Sequence, residues 1–121
     1  MRRFRGFTLI ELMVVLTIVA LLATIATPRY LQHQARARET VLRTNLAALR
    51  HALDQYRADR GADPDKLEDL VTARYLRELP LDPISGQHDS WTVETGDNGK
   101  IREIHSGAEG KAQDGSEYAT W

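Results

Sequence analysis

The 121 residues contain no cysteine. No disulfide can brace the fold, and a small domain buries too little surface to do easily without a brace. A metal ion, a neighbouring subunit or packing on a long element must supply it instead. The absence does not fix the redox compartment, because exported chains also lack cysteine. Other absences exclude chemistry. There is no P-loop, no GxGxxG and no EF-hand pattern. His33, His51, His88 and His105 show no metal-ligand spacing. His88, Asp89 and Ser90 are contiguous, and contiguous residues do not form a three-body catalytic geometry. With no convergent acid, base and nucleophile, the chain is not expected to be an enzyme. Internal repeats and low-complexity tracts are also missing. Between Phe7 and Thr27 the only charge is Glu11, and neither glycine nor proline interrupts residues 29–60.

The charge that is present is unevenly placed. The formal net charge is −1, yet Arg2, Arg3 and Arg5 make the first six residues locally +3. Residues 29–60 carry seven arginines against Glu39, Asp54 and Asp59, and residues 61–121 carry thirteen acids against six bases. Asymmetry of this kind concerns partners and assembly more than fold.

Phe7–Thr27, FTLIELMVVLTIVALLATIAT, has about the 20 residues a helix needs to cross a bilayer. Arginines precede it and Arg29 alone follows closely, so residues 1–6 are placed in the cytoplasm and the rest of the chain beyond the membrane. Pro28 removes a helical hydrogen bond and either kinks the helix or ends it at the membrane exit. Helical periodicity favours the kink, since Leu31, Ala35, Leu42, Leu46, Leu49, Leu53 and Tyr56 fall in one narrow sector. Gly61 is a natural stop, which predicts one helix over residues 7–60, roughly 80 Å long.

Beyond it, Asp63-Pro64-Asp65 predicts a short helix start with an acidic cap, and Leu67, Leu70 and Val71 supply its apolar side. LPLDPISG reads as irregular chain. Trp91, Val93 and Thr95 alternate with polar residues; Asp97-Asn98-Gly99 and Lys100–Ile104 follow, which predicts an antiparallel hairpin. In its second strand Ile101 and Ile104 face opposite ways unless a bulge intervenes. The chain from Ser106 is Gly-rich and polar, with Tyr118 and Trp121 as anchors.

Two readings of the N-terminus compete. A conventional secretory signal would be cut after Thr24-Ile25-Ala26, releasing a soluble binding module. Against this, an acid in an apolar span costs up to about 2.5–3.5 kcal/mol and is ordinarily there for a partner. The helical pattern also runs straight through the supposed cut. RGFTLIELMVVLTIVALLATIATP resembles the class III signal of type IV pilins and type II secretion pseudopilins. The resemblance implies cleavage by a prepilin peptidase between Gly6 and Phe7, N-methylation of the new Phe7 terminus, and assembly roles for Glu11 and Pro28. Gly6 lets a peptidase approach the backbone closely. The α-amine freed at Phe7 would pair with Glu11 of a neighbouring subunit and neutralise a charge otherwise stranded in lipid. The plainer alternatives are a tolerated Glu11 that snorkels to the surface and a Pro28 that simply breaks the helix.

YLRELPLDPISG, the Trp-led hairpin and IHSGAEGKAQDGSEYATW resemble, more narrowly, the major pseudopilins of type II secretion. The implied fold class is α+β and pilin-like: a long N-terminal helix, transmembrane in its first half and amphipathic in its second, packed under a small antiparallel β-sheet head. The implied organisation is a cleaved leader over 1–6, a transmembrane and assembly region over 7–28, the amphipathic half over 29–60 and a periplasmic head over 61–121. A structural subunit of a periplasmic filament that drives type II protein export follows, anchored by a single pass in the bacterial inner membrane. Other pseudopilins, prepilin peptidase and the secretion machinery are the implied partners. The alternative is a type IV pilus or DNA-uptake pilin. C-terminal loops in this family often bind calcium, and Ser106, Glu109 and Asp114 with nearby carbonyls offer oxygens for one; a loop held by Tyr118, Trp121 and its own turns is the metal-free alternative.

Arg29, Arg36, Arg43, Arg50 and Arg57 recur every seven residues beside the apolar sector, a slowly drifting ridge. One reading is a solvated flank with the pairs Glu39–Arg43 and Asp54–Arg50; the other is a ridge that meets acidic heads of adjacent subunits. Nucleic acid is not an expected partner, because the head is acidic and no aromatics interleave with the arginines.

Overall fold

In the computed structural model, which describes residues 3–121, helix α1 runs without a break over Leu9–Arg60 with Pro28 inside it. Gly61 ends it with φ 66°, its N–H donating to Arg57 O at 2.8 Å, the left-handed stop that glycine adopts without steric cost. Two compact units divide the chain, one up to Gln34 and one over Ala35–Trp121.

In the first unit every described side chain is exposed. The hydroxyls of Thr17, Thr24 and Thr27 each donate to the carbonyl four residues back, at 2.8, 2.9 and 2.7 Å, so these polar groups are satisfied without water.

The second unit takes its core from one side of α1. Leu42, Leu46, Leu49, Ala52 and Leu53 are buried there with Leu67, Leu70, Trp91, Ile101, Ile104, Ala108, Ala112 and Tyr118. Four leucines of the periodic sector are therefore core, and Tyr56 packs at its margin. Leu31, in the same sector, stays exposed.

The short helix α2 spans Glu68–Thr72, four residues past the predicted Pro64 start. Asp63 does not cap it. Its carboxylate pairs instead with Arg57, which also donates to the Arg102 carbonyl. The backbone N–H groups of Asp65 and Lys66 donate to Asp69 Oδ2 at 3.1 and 3.2 Å, which caps the turn from inside.

Strands β1 (Thr92–Thr95) and β2 (Ile101–His105) form the antiparallel hairpin. Its register steps between Glu94↔Glu103 and Thr95↔Ile101, which leaves Arg102 as the extra residue of a bulge. The bulge turns Ile101 and Ile104 to the same side, where they are 1% and 0% exposed. On β1 the expected alternation fails, because all four residues, Val93 included, are exposed. Trp91 alone of that stretch is buried, and its indole N–H donates to Pro80 O at 2.9 Å.

Along the arginine ridge Arg29, Arg36 and Arg43 are exposed, and Arg50 and Arg57 are half-buried. Arg43 lies 3.6 Å from Asp114, Arg50 donates to Glu103 and to Ile104 O at 2.9 Å each, and Arg57 holds Asp63 and Asp54. The acids it meets belong to its own chain. Asp54 is one turn away on α1 itself, whereas Asp63, Glu103 and Asp114 lie beyond the helix and meet it only on folding. Burial works to raise the Glu103 carboxyl, but the Ile104 N–H and Arg50 outweigh it and leave the group below its ordinary value.

Gly107 sits where no side chain fits. A Cβ there would stand 1.6 Å from Ser90 O and 2.8 Å from its carbonyl carbon. The obstacle is backbone, so relief would require parting two loops. Gly107→Ala is expected to cost about 3 kcal/mol, at the upper end of overpacking penalties, and to lower the melting midpoint by at least about 10 °C. A variant that melts within about 2 °C of the parent by circular dichroism would show that the loops have slack.

Candidate assembly site and C-terminal loop

Residues 3–8 precede the helix and are non-helical and exposed. The Gly6–Phe7 bond thus lies in open chain, with open space around Gly6 on the side where a Cβ would point. Phe7 is 87% exposed. An exposed bond outside the helix, next to a residue without a side chain, is what a peptidase can grip.

One turn further, Thr8 and Glu11 form a reciprocal cap. The Thr8 hydroxyl accepts the Glu11 N–H at 3.3 Å, and Glu11 Oε2 accepts the Thr8 N–H at 3.2 Å. The T-x-x-E spacing of a capping box was legible before the apolar run, so Thr8 is a functional residue that the sequence reading passed over. The cap uses one carboxylate oxygen. Oε1 has no protein partner among the described residues, so it stays open to a cation from outside the chain.

Behind this cap, α1 carries a stretch long and apolar enough to cross a membrane, with none of that stretch buried. Leu9, Ile10, Met13, Leu16, Leu21, Leu22 and Ile25 are among its exposed side chains. Such a surface needs lipid or other apolar helices. Pro28 lies inside the helix near the end of this stretch; having no N–H, it leaves the Thr24 carbonyl without its helical donor.

At the other end of the chain, two of the three residues suggested for calcium, Ser106 and Glu109, line one cavity, and Asp114 is not among its lining residues. Ser106 is fully buried, donating to Asp82 Oδ2 at 2.8 Å and accepting the Ala108 N–H at 3.1 Å. Glu109 is exposed. Asp114 Oδ1 accepts the Ser116 N–H at 2.9 Å. The Ser116 hydroxyl and then its N–H hold the Asp114 carboxyl below the ordinary range, with Arg43 adding to the effect. No group of three or more His, Cys, Asp or Glu among the described residues converges as metal ligands would. Calcium takes six to eight oxygens, and the buried Ser106 hydroxyl is already engaged by Asp82 and the Ala108 N–H.

Asp82 is a second residue that sequence reasoning missed. It is fully buried, and its Oδ1 accepts the N–H groups of Ile84 and Ser85 at 2.9 and 3.2 Å. With Ser106 on Oδ2, one carboxylate ties the Pro-rich loop to the C-terminal loop. Aspartate followed by proline was visible as a turn, but nothing local pointed to Ser106, 24 positions away.

Residues 1–27 match the family described as the prokaryotic N-terminal methylation motif. Over 97% of its length the chain is 35% identical to a type II secretion system core protein G of Vibrio cholerae, covering 88% of that protein. The corresponding protein of Pseudomonas aeruginosa is 33% identical over 91% of the chain and 87% of its own length. A type IV major pilin protein, PilA of Myxococcus xanthus, is 45% identical over 63 residues, which is 52% of the chain and 29% of the pilin. No solved structure matches significantly.

Proposed function

Because the chain belongs to the type II secretion core protein G family, we propose that it is a structural pseudopilin subunit, which polymerises into a periplasmic filament that drives protein export. The observation that carries this reading is the likeness to core protein G over 97% of the chain, head included. The likeness to a type IV pilin spans 52% of it. The wider coverage favours the secretion subunit over the pilin.

The residues have work to do in this role. A prepilin peptidase removes residues 1–6 and with them three arginines. The new Phe7 terminus is methylated and its amine is cationic. Glu11 of the adjoining subunit, with one oxygen on its own cap and the other open, receives that cation. The exposed apolar stretch keeps the subunit in the inner membrane until neighbouring helices take the place of lipid. Pro28 leaves one helical hydrogen bond unmade, which makes its turn the place where the helix can loosen as the subunit leaves the bilayer. The head remains on the periplasmic side. It works with other pseudopilins and the secretion machinery, and it contributes structure, not catalysis.

Mass spectrometry of the chain isolated from membranes tests this directly. The expected mature chain begins at Phe7 and carries a methyl group on its amine. A chain that begins at Thr27, or one that keeps residues 1–6, would overturn the reading. Deleting the gene should stop release of folded exported proteins and leave DNA uptake intact; the reverse outcome would move the subunit to a pilus.

A further inference from the structure

The C-terminal loop has the glycines of a cation-binding loop, but several of its carbonyls are already engaged by its own N–H groups. The carbonyls of Gly110, Ala112, Ser116 and Glu117 accept the N–H groups of Tyr118, Gly115, Ala112 and Thr120 at 3.2, 3.0, 2.7 and 3.0 Å. The Trp121 carbonyl lies 2.9 Å from His105 Nδ1. Asp114, the strongest remaining donor, has the Arg43 guanidinium 3.6 Å away. A cation is therefore already beside the one acid that would lead a metal site.

Helix α1 supplies the other contacts. Glu39 Oε1 accepts the Gln113 N–H at 2.9 Å and the Tyr118 hydroxyl at 3.0 Å. A single oxygen thus closes both ends of the segment 113–118. Arg36 Nε donates to Gln113 Oε1 at 3.0 Å. The Arg43 guanidinium stacks 4.1 Å over the Trp121 ring, and that ring meets Tyr118 edge-on at 5.2 Å. The indole N–H of Trp121 donates to Ser116 Oγ at 2.8 Å. Each contact joins the loop to α1 or to itself, and together they fix the loop on the helix. Burial first, and then the bond to Glu39, raise the Tyr118 hydroxyl above its ordinary value, so it stays a donor.

We propose that Glu39, flanked by Arg36 and Arg43, orders the C-terminal loop in this chain in place of a calcium ion, so that the head folds and keeps its shape without metal. The loop's geometry then depends on a carboxylate built into α1 rather than on the calcium available outside the cell membrane. Helix and loop also become one folding unit, because neither half of the Glu39 contact exists before the loop docks.

The test uses the full-length subunit in detergent micelles, melted with a chelator or with millimolar calcium while near-ultraviolet circular dichroism follows the aromatic packing. The expected result is the same midpoint and spectrum in both. Glu39→Ala should lower the midpoint by about 5 °C or more, and calcium should not restore it. Tyr118→Phe, which keeps the ring and loses only the hydroxyl, should give a smaller drop. Calcium raising the parent's midpoint by several degrees would overturn the proposal. So would a Glu39→Ala subunit that melts with the parent in chelator. Should Glu39→Ala fail to fold, Tyr118→Phe and the parent's calcium response still decide the matter.

Discussion

Replacing Glu11 with glutamine is expected to suppress filament growth as deeply as replacing it with alanine. The two substitutions separate two roles that one carboxylate plays. In the isolated subunit Glu11 accepts the Thr8 N–H in a capping box. Glutamine serves that box as well, because its carbonyl oxygen accepts the same bond. What glutamine lacks is the charge. An uncompensated charge in an apolar span costs up to about 2.5–3.5 kcal/mol, and the Phe7 amine of a neighbour is stranded when its counter-ion is removed. A loss of that size corresponds to roughly a hundredfold weaker subunit association. Filament yield after shearing, normalised to the amount of processed subunit in the membrane, is the measurement. If the glutamine variant grew filaments like the parent while the alanine variant did not, Glu11 would act only as a helix cap. If both grew them, it would have no assembly role.

The second large effect concerns the head. Asp82→Ala should destabilise the head by about 3–5 kcal/mol. The substitution strands three donors at once: the N–H groups of Ile84 and Ser85 and the hydroxyl of Ser106, all bound to a carboxylate with no exposure. At about 1–1.5 kcal/mol for each orphaned donor the lower bound follows. Asp82→Asn should cost much less. An amide oxygen still accepts both N–H groups, and the Ser106 hydroxyl can turn to accept from the amide nitrogen. The measurement is the denaturation midpoint of the two variants beside the parent. Equal losses for alanine and asparagine would mean that the charge, not the hydrogen-bonding capacity, holds the loops.

Much of the architecture was legible because its causes are local. The run from Phe7 to Arg60 lacks glycine and has one proline, and α1 follows it to Gly61. The leucines that recur on one side are the leucines buried in the head. Even the bulge in β2 was implied, because Ile101 and Ile104, three positions apart, cannot share a side of a regular strand. Where the reading erred, a distant group had intervened. Asp63 is a sound helix cap by its neighbours, but Arg57 takes it, and α2 begins at Glu68. Arg43 and Arg50 were paired on paper with Glu39 and Asp54 by helical spacing. Folded, they face Asp114 and Glu103, while Glu39 turns to Gln113 and Tyr118.

The long helix with its apolar first half and the acid near its start were thus determined by sequence alone, since each depends on residue order within a few turns of one helix and on transfer of side chains from water. The Asp82–Ser106 tie and the Glu39 latch were decided only by tertiary structure. Their partners lie 24 to 79 positions apart, and no local propensity encodes which loop a polar group will find. A hydrogen bond or ion pair over that span exists only once the core has brought the loops within about 3 Å. Hydrophobic periodicity therefore specifies where α1 and the head meet, and the fold then chooses which charges lock them.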